Sequence, residues 1–211
     1  MTALFLLLSA TALADEVIHI GIIQFAEHGS LDNCRIGFIE GLAEEGFVEG
    51  ENVVFDVQNA QADTAISAQI ADVMAGKYDM ICAIATPAAM AAFNAAEDAG
   101  IPVIYTAVSD PVSAMLASAD GKNPGNITGT SDALNTSFIM DMMFAQNPNV
   151  AKVGLLYSLN EPNSAKPIAD AKAYLDAKGI TYIEQTANTN DEVVACLLYT
   201  SPSPRDKRQS R

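Results

Sequence analysis

Apolar positions along this chain follow two rhythms that alternate. Val17-Ile-His-Ile-Gly-Ile-Ile23 is a β-branched apolar run and reads as a strand. Leu31 to Glu45 places Leu31, Cys34, Phe38 and Leu42 at helical spacing with Ile39 beside them, and Gly46 ends the pattern. Asn52 to Val57 reads as a second strand, and Thr64 to Ala75 as a helix closed by Gly76. Asp79 to Ala85 is almost wholly apolar, the pattern of a strand covered on both faces. Pro87 to Ala99 reads as a helix closed by Gly100, and Pro102 to Ala107 as a fourth strand. Such repeated βα units imply parallel strands.

The segment Gly121-Lys-Asn-Pro-Gly-Asn126 is rich in turn residues and reads as the approach to a domain crossover. The rhythm then restarts. Ala133 to Gln146 predicts a helix, Lys152 to Tyr157 a strand, Asn163 to Lys178 a helix closed by Gly179, and Ile180 to Thr186 a strand. Another helix begins at Asp191. The expected architecture is α/β: two Rossmann-like lobes with parallel sheets, lobe one over residues 15–125 and an incomplete lobe two over residues 126–195.

The first residues break this rhythm. Ala3 to Leu13 is an apolar run too short to span a bilayer, and Ala12-Leu13-Ala14 is a small-x-small cleavage site. Residues 1–14 therefore read as a secretory signal peptide, although no Lys or Arg precedes the apolar run. A buried N-terminal helix is the alternative. Cleavage after Ala14 leaves no cysteine to carry a lipid, so the expected location is the periplasm, without a lipoprotein anchor.

Composition narrows the function. The formal net charge of −15 argues against nucleic acid or an anionic membrane as the main partner. From Asp15 to Ala195 there are 7 basic and 25 acidic residues; from Cys196 to Arg211 there are 4 basic and 1 acidic. Cys34, Cys82 and Cys196 match no zinc or redox spacing. Cys82 sits in an apolar run and reads as a buried small hydrophobe, while a Cys34–Cys82 disulfide stays open because spacing cannot supply bridge geometry. No nucleotide loop, nucleophile elbow or metal cluster is present, so neither cofactor nor metal is expected.

In open parallel sheets ligands bind beyond the carboxyl ends of the strands. The candidates are therefore Gln24, Phe25, Glu27 and His28 after the first strand; Thr86, Pro87 and Ala88 after the third; Thr106 and Asp110 at the fourth; Ser131 and Asp132 after the crossover; and Asn160, Asn163 and Ser164 in lobe two. Thr86-Pro87 has the chemistry of a helix start, Thr as N-cap and Pro at the first turn. The N–H groups of Ala88 and Ala89 would then suit a carboxylate. An ordinary cap with no ligand is the stronger reading of that motif taken alone. Glu27 and Asp110 are each candidates for a ligand ammonium. Glu27-His28 is alternatively an acid–base pair or a solvated pair, and Asp110 alternatively a helix cap. Phe25 and Tyr157 either flank a flat ligand or belong to the core. Asn163 is either a ligand contact or a cap.

Several motifs recur in order: Ile22-Ile-Gln-Phe-Ala-Glu-His28, Gly37-Phe-Ile-Glu-Gly41, Gly50-Glu-Asn52, Gln58-Asn-Ala-Gln61, Ala83-Ile-Ala-Thr-Pro-Ala-Ala89, Thr106-Ala-Val-Ser-Asp-Pro-Val112 and Asn126-Ile-Thr-Gly-Thr-Ser-Asp132. From about Val17 to Ala195 the chain resembles the ABC-transporter substrate-binding proteins of tryptophan or tyrosine uptake. The resemblance implies a type I periplasmic-binding-protein fold, two hinged lobes that close on a small-molecule ligand, expected here to be an amino acid. It also implies a monomer that docks on an inner-membrane ABC permease and performs no catalysis. A sensory ligand-binding domain and an enzyme using Glu27 and His28 are the alternatives. Cys196-Leu-Leu-Tyr-Thr-Ser-Pro-Ser-Pro-Arg-Asp206 instead resembles translated sequencing-adapter read-through. Residues 196–211 are accordingly expected to be a non-native tail, leaving lobe two short of on the order of a hundred residues.

Overall fold

The computed structural model describes residues 17–200. The expected signal peptide and the last part of the expected tail lie outside the described residues. Lobe one is a five-stranded parallel sheet in the order β2-β1-β3-β4-β5. Its strands are β1 (Ile18–Gln24), β2 (Val53–Asn59), β3 (Met80–Ile84), β4 (Val103–Val108) and β5 (Ile127–Ser131). The helices α1 (Gly29–Glu44), α2 (Thr64–Ala75) and α3 (Thr86–Ala96) connect the first four.

Period-two alternation inside apolar strands explains the layers. On β1 and β3, Ile20, Ile22, Cys82 and Ile84 point to one face, where Leu31, Cys34, Phe38 and Leu42 of α1 cover them. Ile23, Ile81 and Ala83 point to the other face and meet Ala71 and Met74 of α2 and Ala88, Ala89 and Ala92 of α3. Gly21 leaves the space that Met74 fills, since a Cβ there would lie 2.6 Å from the Met74 sulfur. Each fully buried Ile or Val contributes about 1.5–3 kcal/mol, so these two layers hold lobe one together.

The fifth strand corrects the expected lobe boundary. Ile127–Ser131 pairs with β4 in the first sheet, so the chain leaves lobe one after Ser131 and not at residues 121–126. The turn-rich segment is a surface excursion before this strand. Gly129 makes the pairing possible because β5 runs against the Tyr105 backbone and ring, where a side chain has no room.

Lobe two comprises α4 (Thr136–Gln146), β6 (Lys152–Tyr157), a 3-10 turn (Pro162–Ser164), α5 (Ala165–Lys178), β7 (Thr181–Thr186) and α6 (Asn190–Thr200). Strands β6 and β7 pair in parallel. Met140, Leu155, Ala171 and Leu175 form its buried core, with Phe144 stacked on Tyr174 at 6.0 Å. Helix α4 starts three residues later than expected because the Asn135 side chain caps it, accepting from the Phe138 N–H at 3.1 Å. Helix α6 runs past Ala195 into the expected non-native tail. Cys196 and Leu197 fall beside Val193 at helical spacing and line a cleft with Leu155, Leu156 and Ile183 of the sheet.

Candidate functional site

The carboxyl ends of strands from the two lobes face each other. Between them lies a cavity of about 470 Å³, lined by Phe25, Ala62, Asp63 and Thr64 of lobe one and by Ser158, Asn160, Glu161 and Asn188 of lobe two. This volume is in the range of small-molecule sites. Among the described residues the lining carries two carboxylates and no cationic side chain.

Lobe one's wall is held by backbone bonds. The Ala62 N–H donates to the Phe25 carbonyl at 2.8 Å, and the Ala60 N–H to the Gln24 carbonyl at 2.9 Å. Gln61 and Ala62 have φ of 55° and 60°, a conformation that L-residues adopt at a cost. Asp63 caps α2, its Oδ1 accepting from the Ala65 and Ile66 N–H groups at 2.7 and 3.1 Å.

Lobe two's wall is a loop pinned to itself. The Ser158 hydroxyl donates to Asn188 Oδ1 at 3.1 Å and accepts from the Asn160 N–H at 3.1 Å. Ser164 Oγ lies 2.8 Å from the Ser158 carbonyl and 2.7 Å from that of Glu161. The Glu161 side chain makes no hydrogen bond or ion pair among the described residues, and burial holds its carboxyl above the usual carboxylate range.

Of the expected site residues, Phe25 and Asn160 line this cavity. Gln24 is buried and fully engaged. Its Nε2 donates to the Ala26 carbonyl and to Asp32 at 2.8 Å each, and its Oε1 accepts from Arg35 at 3.1 Å. Glu27 is exposed and does not pair with His28; His28 caps α1, its Nδ1 accepting from the Ser30 N–H at 3.2 Å. Thr86 is not an N-cap. Ala85, at φ 83°, takes that position without a side-chain bond, and Thr86 is the first helical residue. Its hydroxyl is buried, 3% exposed, and lacks a partner. Ala89 N–H is already used by the Ala85 carbonyl at 3.0 Å, so of the two N–H groups expected to be free only that of Ala88 remains. Pro87 and Ala88 are buried beside it, and the Pro162–Ser164 turn of lobe two packs against α3.

Thr106 Oγ1 meets Thr130 Oγ1 at 3.3 Å in the sheet. Asp110 closes a turn and not a helix: it accepts from the Ser113 N–H at 3.0 Å and the Ser113 hydroxyl at 2.6 Å, which hold its carboxyl below the usual range. It also borders a much smaller cleft with Lys166 and Asp170 of α5. Ser131 accepts from the Ala133 N–H at 3.2 Å, and Asp132 is exposed. Asn163 caps neither the 3-10 turn nor α5, and its Oδ1 is buried without a partner. Cys34 and Cys82 are free thiols in one apolar layer, and burial pushes the Cys82 thiol up to about 12.

The lining residues absent from the expected set were Ala62, Asp63, Thr64, Ser158, Glu161 and Asn188. Asp63 carried a signal, as an Asp immediately before a helix. Asn188 carried none, because a lone Asn after a strand is an ordinary turn residue.

A family model described as "ABC transporter substrate binding protein" matches residues 19–198. The tyrosine-binding protein of Clostridioides difficile is 39% identical over 176 residues, 83% of this chain and 50% of the relative. This chain thus spans about half the length of the curated relative it matches. The structure of an ABC domain from Streptococcus pneumonia in complex with L-Trp is 34% identical, with a TM-score of 0.81 over 87% of this chain and 62% of that one. The ligand-free, open structure of a substrate binding protein with adhesive properties from Clostridium difficile is 38% identical, with a TM-score of 0.63 over the same shares.

Proposed function

Because the chain belongs to the ABC transporter substrate-binding protein family, we propose that it captures a small carboxylate-bearing solute, an aromatic amino acid, for an ABC importer. The family binds substrates and is not catalytic. The observation that carries the reading is the cavity between the lobes, built from strand ends of both. An open form meets ligand at lobe one, and lobe two closes over it because the ligand binds the closed state better. The higher TM-score to the L-Trp complex than to the open, ligand-free structure accords with such a hinge.

On this reading the ligand carboxylate lies toward the start of α3. The unpartnered Thr86 hydroxyl and the Ala88 N–H are the donors there, both buried just outside the cavity lining. Phe25 and the loop around Asn160 enclose the side chain. The protein works as a monomer in the periplasm, after loss of its signal peptide, and delivers to a permease in the inner membrane. Calorimetric titration with the twenty amino acids tests this: an aromatic amino acid should bind, and binding to none would overturn the amino-acid assignment.

A further inference from the structure

The geometry points to Glu161 as the residue by which lobe two reads a primary ammonium on the ligand, so that closure selects amine-bearing solutes over their des-amino analogues. This rests on the reading of the cavity as the solute site. Three observations carry it. Glu161 lines the cavity from the loop after β6, so its carboxylate reaches a ligand only from lobe two. It has no hydrogen-bond or ion-pair partner among the described residues, although it is half-buried. Among the described residues the cavity lining offers no cation to neutralise it.

A carboxylate partly removed from water and left unpaired is costly. A ligand ammonium supplies what the cavity lacks, a charge-assisted donor. The rival candidates are placed otherwise. Glu27 is exposed and outside the lining, Asp110 is satisfied by Ser113, and Asp63 already has one oxygen on the α2 N-terminus.

Among the described residues the charged groups around Glu161 are few. Asp63 faces it across the cavity. Lys166 and Asp170 of α5 pair with each other at 2.8 Å, and Glu192 accepts from the Asn188 N–H at 2.7 Å. Helix α3, packed against the neighbouring turn, carries no charged residue. As the pH falls, protonation of Glu161 should therefore weaken binding of an amino acid and leave a des-amino acid unaffected through this residue.

The test titrates this chain and its Glu161→Gln variant with L-tyrosine, L-tryptophan, 3-(4-hydroxyphenyl)propanoate and 3-(indol-3-yl)propanoate. The wild type should prefer the amino acids by about 10- to 100-fold, the worth of one charged hydrogen bond. Glu161→Gln should lose most of that preference through weaker amino-acid binding, and its preference should no longer fall with acidification. Glu27→Gln, at an exposed carboxylate outside the lining, should retain both the preference and its pH dependence. An undiminished preference in Glu161→Gln would overturn the role of Glu161 while leaving the solute site standing. Tighter binding of the des-amino acids by the wild type would overturn ammonium recognition. Binding of neither class would overturn the amino-acid reading itself, and this inference with it.

Discussion

At the scale of single residues, the polar side chains at and near the strand ends are in two conditions. Most are satisfied: Gln24, His28, Asp63, Asp110 and Ser164 spend their hydrogen bonds on shaping loops. A few are not, and Thr86 and Glu161 are the ones with consequences. The Glu161 carboxyl is held above its unfolded value by burial. Its proton-linked stability is therefore present below the unfolded pKa and lost as pH rises through the folded one. Without ligand, Glu161→Gln should raise the melting temperature at neutral pH, and the difference should shrink as the pH is lowered. Asp63→Ala removes a capping carboxylate from α2 and should cost about 1 kcal/mol by denaturant titration. The capping role of His28 was not foreseen, because a His before a helix is a weaker signal than Asp, Asn, Ser or Thr.

At the scale of elements, the strand ends set what each loop can reach. β4 carries a register shift between Tyr105 and Val108, with Ala107 at φ 56°. That bulge returns Val108 to the core face and aims Ser109 and Asp110 toward α5. On the partner strand, Gly129→Ala would drive a Cβ into the Tyr105 carbonyl and ring. It should detach β5, lowering the melting temperature and the hydrogen-exchange protection of the Ile127–Ser131 amides. In the centre of the sheet, Ile81→Ala empties a fully buried position and should cost about 2–5 kcal/mol. The elements themselves were legible, since α2 and β6 match their sequence patterns end to end. The helix starts after the crossover were not, because caps such as Asn135 act through side-chain bonds that periodicity does not encode.

At the scale of the molecule, the two lobes have separate cores. Lobe one buries two layers around five strands, whereas lobe two's core among the described residues rests on Met140, Leu155, Ala171 and Leu175. Lobe two should therefore be the less stable unit. Leu175→Ala should cost about 2–5 kcal/mol within lobe two. Native-state hydrogen exchange should show faster exchange in β6 and β7 while β1 and β3 stay protected. Uniform loss of protection in both sheets would mean that the lobes unfold as one.

The sequence by itself determined the alternation of strands and helices and the parallel sheets. Both follow from local periodicity, because a period of 2 or 3.6 decides which side of an element can be buried. It also directed attention to the strand ends. Tertiary structure alone decided which ends meet. Asp63 and Glu161 are far apart in the chain and become opposite walls only through the packing of one lobe on the other. Whether Ile127–Ser131 joins the first sheet depends on a close approach between Gly129 and Tyr105, which no local pattern records. The balance that leaves Glu161 unpaired is likewise a property of what surrounds it, and burial by distant residues is not written in its neighbours.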